Sequence, residues 1–560
     1  MKIGRVKKVF MSVVLIALLL FNACGKSSET TSDNVENKTI PQNAVSVDPF
    51  GKYEPAINVE TVLGYDQNQC KFKNGDSAEN NIYTRLYADK LGIKLKYRWV
   101  TSSAQVTEKT NLMIASGSLP DIFPVNRQQF EQLYKAGKIA DLTQAYEQYS
   151  SPYTKKYLTG EFSRALDIVK KDGKVYAMPW YADYHETSNV IWLRSDWLKN
   201  LNMQVPKTAS ELLKVAEAFT TQDPDDDGKP DTYGIAMDKD GLLPAYWNMF
   251  HSYPKIWIKD NTGKLVDGMH GSTEQVNATK TALITLQDLY KKGVINKEFG
   301  IMDSEKRNED VISSKCGIMF GDLWNGWWPL PGNIDKDSKA EWISIPVPSI
   351  DNKPALMSTD PVSIIGLYVV NKNFKNPEAL VKMMNIYHNL NNNTETMQFT
   401  KYNTEPDGNQ IFMASPVEVY NPTFNLEGWK IIKDTEEGKS DPSKLPECYK
   451  LFYDQIRAYF DKGDRKSWCY VSSYDKDGSL AVANYYLTNN LFMLNEFTGV
   501  PTNSMIKKNP LIDKAWLETM TQIVMGADIS KYDKFLKQYK IIGGDDISKE
   551  VNDWYKGQNK

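Results

Sequence analysis

The chain has 560 residues, 41% of them hydrophobic and 24% charged, with a formal net charge of −3 at pH 7. That balance describes a soluble globular protein with several cores rather than one, and it speaks against nucleic acid as a partner. Aromatic residues make up 12%, with 14 Trp and 31 Tyr; ordinary cores account for most of them, and the rest suit a surface that stacks on a flat, partly polar ligand.

The N-terminus carries Lys2, Arg5, Lys7 and Lys8, then an apolar run from Val9 to Phe21 interrupted only by Ser12. This is the basic and apolar arrangement of a secretory signal over residues 1–23, and the run falls short of the roughly 20 apolar residues that span a bilayer. Phe21-Asn22-Ala23-Cys24 is similar to the bacterial lipobox, with Phe where Leu is usual. Cys24 is therefore expected to be the lipidated first residue of the mature protein, a membrane anchor; plain cleavage leaving a free Cys24 is the alternative. Residues 24–48 are rich in Ser, Thr, Asn, Glu and Lys and too poor in apolar groups to order themselves, so they read as a flexible tether.

The other cysteines are Cys70, Cys316, Cys448 and Cys469, with no close pair to suggest zinc or a redox motif. A disulfide between Cys448 and Cys469 and free buried thiols both remain open. His185-Glu186 lacks the second His of a zinc protease helix.

Along the chain, Val59 to Leu63 reads as a strand, Asn80 to Leu91 as a helix stopped by Gly92, and Ile93 to Trp99 as a strand with alternating apolar residues. A second unit follows, with a strand entered at Pro120-Asp121-Ile122-Phe123 and a helix from Gln128 to Ala136. Alternating units predict an α/β domain with a largely parallel sheet. Ligands sit beyond the carboxyl ends of such strands, which makes Asn126 and Arg127 candidate ligand contacts.

Thr154 to Lys170 reads as a helix, and Asp172-Gly173 turns into a strand over Lys174 to Met178. Pro179 ends that strand or confines it to an edge. Trp180, Tyr181, Asp183 and Tyr184 then occupy a loop or extended crossing, where they either face a ligand or fill space between two lobes. After a strand at Asn189 to Leu193, Thr208-Ala209-Ser210-Glu211 is a capping box that opens a helix to about Thr220.

The loop Asp223-Pro224-Asp225-Asp226-Asp227-Gly228-Lys229-Pro230-Asp231 has Asp at positions one, three, five and nine and Gly at six. This is the oxygen spacing of an EF-hand calcium loop, with the position-seven carbonyl, here Lys229, as a further ligand. Position twelve is Gly234 rather than the bidentate Glu, so water or a distant side chain has to complete the sphere. A structural Ca2+ held by Asp223, Asp225, Asp227, Lys229 and Asp231 is expected; an exposed acidic turn is the alternative.

Ser272 to Lys292 reads as an amphipathic helix, and Lys315 to Phe320 as a buried strand. The segment Gly321-Asp322-Leu323-Trp324-Asn325-Gly326-Trp327-Trp328-Pro329 then sets three Trp in five positions on a loop or first helical turn. Trp324, Trp327 and Trp328 are candidate stacking residues, and Trp247 joins them. Strands at Trp342 to Pro348 and Val362 to Val370 precede a helix started by Pro377. Residues 390–450 read as long loops with insertions, and helices return at Tyr485 to Phe497, Trp516 to Met525, Tyr532 to Tyr539 and from Ser548.

The segments Ala115-Ser116-Gly117-Ser118-Leu119-Pro120-Asp121-Ile122, Asp172 to Pro179, Arg194-Ser195-Asp196-Trp197-Leu198, Val205-Pro206-Lys207-Thr208 and the Trp324 region occur in an informative order. Together they resemble the family 1 extracellular solute-binding lipoproteins of bacterial carbohydrate ABC importers, in particular the large calcium-loop type, over nearly everything after the tether. Gly543-Gly544-Asp545 and Glu550 to Trp554 are similar to those members as well. Where well-known sugar binders of the family have an aromatic after the first-lobe strand, this chain has Pro124.

The resemblance implies a two-lobe, periplasmic-binding-protein-like (type II) α/β fold with a hinge and an interlobe cleft that closes on an oligosaccharide. It implies a first lobe over 49–180 and 359–430, a second over 181–358, and C-terminal helices over 431–560 mainly on the second lobe with a hinge crossing. It also implies delivery to a membrane permease, no enzymatic activity, a monomer, and a lipid anchor on the extracellular face of the cell membrane. A surface polysaccharide lyase or glycoside hydrolase, or a peptide-binding lipoprotein of the same fold, are the competing readings.

Overall fold

A computed structural model describes residues 47–67, 69–184, 188–405 and 409–558. The expected signal peptide, Cys24 and the tether up to residue 46 lie outside them. Two apolar clusters organise the described chain. One draws on residues 59–181 and 362–419, the other on residues 190–357 and 397–551, and each forms the core of a lobe.

The first lobe begins with β1 (Ile57–Tyr65) and β2 (Ile93–Ser102), which pair in parallel around the helix Ile82–Leu91. That helix starts because Asn81 and Thr84 satisfy each other's backbone amides, and it buries Tyr83, Leu86, Tyr87 and Leu91 at helical spacing. Gly92 ends it at φ 66°, where a Cβ would also strike the Tyr53 carbonyl oxygen at 2.5 Å. Further along, this lobe contributes β3 (Ile122–Val125), the paired two-residue strands Lys170–Lys171 and Lys174–Val175, and β4 (Met178–Asp183).

The chain then enters the second lobe, whose sheet consists of β5 (Asn189–Arg194), β6 (Tyr233–Ile235), β7 (Cys316–Asp322) and β8 (Trp342–Ile345), in the order β8-β5-β7-β6. Trp192, Trp197 and Phe219 lie in its core. The capping box of Thr208 and Glu211 opens the helix Ala209–Thr221, with a 3.2 Å bond in each direction. A short strand, β9 (Met357–Thr359), precedes the return to the first lobe through β10 (Val362–Val370) and later pairs in parallel with β11 (Phe492–Leu494).

The largely parallel sheet expected of the first lobe is found only in the β1–β2 pair. β10 sits between β3 and β4 and runs antiparallel to both, because it arrives from the second lobe and must enter the sheet in the opposite sense. Pro179 is tolerated because β4 is an edge strand, with β10 on one side only.

Three other expectations are corrected. Residues 390–450 contain the helices Phe424–Glu436 and Glu447–Lys462; their apolar spacing (Leu426, Trp429, Ile432 and then Cys448, Tyr449, Phe452, Ile456) is helical but interrupted by a polar, Pro-containing linker. The helix expected over 485–497 instead occupies Ser479–Thr488, and Asn490, at φ 53°, turns the chain into β11. Thr154 to Lys170 is broken into Pro152–Lys156 and Ser163–Val169. Among the described residues, Cys70, Cys316, Cys448 and Cys469 are free thiols.

His388, in the helix Glu378–Asn391, is buried beside Tyr153 and Tyr157, and burial lowers its pKa to about 3. The unfolded chain takes up a proton below the ordinary pKa near 6.5 and the folded chain does not, so stability falls as pH drops through that window. Between about pH 7 and about pH 5, wild type is expected to lose roughly 2 kcal/mol more than His388→Gln in urea denaturation. Parallel pH dependence of the two proteins would contradict this.

Candidate functional site

The antiparallel register places the carboxyl ends of β3 and β4 and the amino end of β10 on one side of the first lobe, facing the second. Trp180 lies opposite Gly366 in that register, and a Cβ at Gly366 would sit 3.2 Å from the indole. With only a glycine beside it, the ring lies over Tyr368 at 6.2 Å and meets Tyr420 edge-on at 5.7 Å. Trp180 walls a cavity of about 270 Å³ in the first lobe, together with Asn126, Ile365 and Glu418.

Ile365 also lines a second cavity, of about 400 Å³, between the lobes. The first lobe contributes Ala182, Asn391, Asn403, Phe412 and Tyr420 to it; the second contributes Trp324, Asn425, Phe452 and Tyr474. Trp324 follows β7 on a 3₁₀ turn over Leu323–Gly326, whose start is fixed by Asn325 Oδ1 accepting from the Asp322 amide at 2.7 Å. Gly326 lets this turn press on the helix Trp468–Tyr474: a Cβ there would lie 2.2 Å from Ser472 Oγ. The indole of Trp324 is left 45% exposed, an apolar face presented to the cleft. Such a surface, with amides around it, can stack on the C–H face of a sugar ring and exchange hydrogen bonds with its hydroxyls.

A third cavity, of about 610 Å³, also lies between the lobes but is charged. Arg127, Arg164, Lys170 and Lys171 line it with Glu131, Asp167, Asp360 and Glu496. Its cations are in part neutralised locally, Lys171 by Glu131 and Lys170 by Asp167. Arg127 donates across the lobes to the Thr498 carbonyl oxygen, so it acts as an interlobe strut and its guanidinium is absent from the aromatic cavities.

The expected ligand residues therefore divide. Trp180, Trp324 and Asn126 line the aromatic cavities, although Asn126 Oδ1 is already engaged as the N-cap of the helix Arg127–Lys135, accepting from the Gln129 amide at 2.9 Å. Tyr181 is corrected to a core residue: it is 3% exposed and its hydroxyl donates to the Tyr157 carbonyl. Strand alternation turns it away from the face that Trp180 occupies. Trp247 is likewise in the second-lobe core, 3% exposed, with its indole N–H on the Leu242 carbonyl at 3.3 Å. Trp327 packs edge-on against Tyr470 and donates to Ser473 Oγ at 2.8 Å, while Trp328 lies outside the cavity wall and is 61% exposed. The side chain of Asp183 lies outside the described residues.

Local periodicity does not mark Tyr420 and Glu418, because they fall in a polar, Pro-containing stretch where it is weak. A cue was present in Glu418-Val419-Tyr420, where a lone carboxyl sits in an otherwise apolar, aromatic run.

The acidic loop brings Asp223, Asp225 and Asp227 together, with one carboxylate oxygen of each within 4.8 Å of the others. Gly228 adopts φ 79°, as the sixth position of such a loop requires. Asp225 Oδ1 is buried without a hydrogen-bond partner, and desolvation, with the neighbouring Asp227 and Asp223, raises the pKa of this carboxyl to about 6. Asp231 is outside this three-carboxylate group, and the Lys229 ammonium pairs with Asp227 at 2.5 Å. The residues present fit a hard cation.

A family model for the bacterial extracellular solute-binding proteins matches residues 72–387. The chain belongs to this family. Among curated proteins it is 26% identical over 329 residues to Lipoprotein LipO of Bacillus subtilis (strain 168), covering 56% of each chain. It is 29% identical over 261 residues to the polygalacturonan/rhamnogalacturonan-binding protein YtcQ of the same strain, covering 45% of this chain and 48% of YtcQ. It is also 29% identical over 235 residues to the fructooligosaccharide ABC transporter substrate-binding protein FusA of Streptococcus pneumoniae serotype 4, covering 40% and 43%. The chain spans about half the length of the curated relatives it matches.

Solved structures share the two-lobe fold along the chain. An HMO-binding ABC-transporter-associated solute-binding protein from Bifidobacterium longum infantis superposes with TM-score 0.63 at 16% identity, covering 89% of this chain and 98% of that one. The alginate-binding protein AlgQ2 without calcium ion gives 0.58 at 16% identity, covering 91% and 100%.

If Tyr181 serves the core, Tyr181→Phe is expected to lower unfolding free energy by about 1 kcal/mol through loss of its buried hydrogen bond and to leave solute affinity unchanged. Urea denaturation and calorimetric titration check the two halves separately.

Proposed function

We propose that this family member is the solute-capturing component of a carbohydrate ABC importer. It binds an oligosaccharide between its lobes, closes on it, and presents the closed form to a membrane permease, acting as a monomer without chemistry of its own. The observation that carries this reading is the interlobe cavity, which a half-exposed Trp324 from one lobe lines together with Phe412, Tyr420 and asparagine side chains of the other. Aromatic faces on both lobes give the ligand differential affinity for the closed state, which is what drives closure. The names of FusA and YtcQ, both saccharide binders, support the reading. Lipidation of Cys24 would hold the protein at the extracellular face of the membrane, in keeping with the lipoprotein name of LipO.

We also propose a structural Ca2+ in the loop of Asp223, Asp225, Asp227, Lys229 and Asp231. Carboxylates and the Lys229 carbonyl supply hard oxygen ligands, and the cation would offset the mutual repulsion of the acidic cluster. The solved FusA EF-hand mutant and the calcium-free AlgQ2 indicate that such metals occur in structural relatives. The loop starts directly after the helix Ala209–Thr221 and leads into β6, so the ion would serve the second lobe's fold rather than the cleft.

Calorimetric titration against an oligosaccharide panel is expected to find a ligand, and Trp324→Ala to weaken it by about tenfold or more, the worth of one stacking face. Heat absent for every glycan, or full affinity in Trp324→Ala, would contradict the cleft assignment. EDTA is expected to lower the thermal midpoint and excess Ca2+ to restore it, with Asp225→Asn insensitive to both. An unchanged midpoint in wild type would remove the metal.

A further inference from the structure

The distribution of charge around the cleft restricts the solute further. Among the described residues, neither aromatic cavity is lined by a Lys, Arg or His. The cations of this region line the separate charged cavity, where Lys170 and Lys171 are paired and Arg127 is bonded across the lobes. A uronic-acid residue in the aromatic cavities would surrender its hydration without gaining a cation, and an unpaired buried carboxylate is strongly disfavoured.

Glu418 is the one carboxyl on this wall among the described residues. It is 8% exposed. Its backbone N–H is bonded, to the Tyr368 hydroxyl at 2.7 Å, but no described group hydrogen-bonds its carboxyl, which burial pushes up to about 8. The titratable groups around it are the phenols of Tyr83, Tyr87, Tyr368, Tyr387 and Tyr420 and the thiol of Cys70. None of them is a cation. A buried polar group left without a partner costs free energy, and here it borders a cavity walled by the Trp180 and Tyr368 rings, by aliphatic side chains such as Val62 and Val125, and by polar groups such as Asn126 and Ser415. Hydroxyl-bearing ligands complement such a group, since a carboxyl can accept from one hydroxyl and, when protonated, donate to another.

We infer, on the reading that the cleft binds a saccharide, that its solute is a neutral oligosaccharide with a hydroxyl hydrogen-bonded to Glu418 in the first-lobe cavity, and that uronic-acid oligomers are rejected. The ligand would extend from the Trp324 face past Ile365, the residue common to both cavities. Glu418 would then discriminate by chemistry: it welcomes a hydroxyl, offers nothing to a carboxylate, and in its ionised form repels one.

Calorimetric titration of wild type, Glu418→Gln, Glu418→Met and Trp324→Ala against neutral oligosaccharides (fructo-, malto- and xylo-series) and against oligogalacturonates and oligomannuronates tests this. At least one neutral series is expected to bind, with uronates weaker by about a hundredfold or more. Glu418→Gln should lose about tenfold and Glu418→Met about a hundredfold in neutral-sugar affinity, while the thermal midpoint of unliganded Glu418→Met rises because an unpaired buried polar group has been removed. A purely structural role would lower that midpoint and leave affinity intact, which would overturn the inference. Uronates bound as tightly as neutral sugars would overturn it as well. Neutral-sugar binding that is lost in Trp324→Ala but unchanged in both Glu418 variants would defeat the Glu418 assignment and leave the cleft standing; binding of no saccharide of either kind would defeat both.

Discussion

The antiparallel pairing of Met178–Asp183 with Val362–Val370 is the constraint on which the molecule's organisation depends. The first strand carries the chain out of one lobe and the second brings it back, so their ladder ties the two passages together within the first-lobe core, which takes in Met178, Tyr181, Val362 and Leu367, while the other core forms from the chain between and beyond them. The same ladder sets Trp180 against Gly366 and leaves Ile365 between two cavities. The proposed recognition surface thus adjoins the passage between the lobes. A backbone ladder can twist through a hinge motion while keeping its hydrogen bonds, which suits a protein whose proposed work is to open and close around a ligand.

Charge is partitioned between the interlobe spaces. Arg127, Arg164, Lys170 and Lys171 line one of them with four acidic residues. The other is walled by aromatic rings and asparagines. In the first, Lys170 and Lys171 are paired within one lobe and Arg127 ties it to the other through the Thr498 carbonyl; in the second, weakly hydrated ring faces are left open to a ligand. The separation explains why a cation close to the hinge in sequence need not touch a solute. Arg127 immediately follows Asn126, yet helix direction sends its guanidinium to Thr498 while the Asn126 side chain remains at the aromatic cavity.

Asp225 and Glu418 both sit where the fold has accepted a cost. Asp225 has an oxygen buried without a partner inside a cluster of like charge. Glu418 is buried among phenols. Core substitutions toward apolar residues would relieve either cost, so each position is better suited to receiving something from outside the chain than to holding the chain together.

Much of this protein was written in local sequence. The Thr208–Glu211 cap, the helix stop at Gly92, the loop glycine at Gly228, the helical spacing of Tyr83 to Leu91 and the oxygen spacing of the acidic loop each act within a few residues, where chain connectivity alone sets the geometry. The order of its motifs carried the family and the two-lobe architecture. What only the tertiary structure decided was which aromatic faces a cavity and which a core. Trp180 and Tyr181 are neighbours of similar chemistry, and the pleat alone sends one to the cleft and the other to Tyr157. Trp247 and Trp324 differ in burial because of what folds over them, Trp516 in one case and open space in the other. The sheet's direction also escaped local reading, since β10 owes its antiparallel sense to a return from residues nearly two hundred positions away in the partner strand's terms. Burial and strand sense are properties of contacts distant in sequence, and no local pattern encodes them.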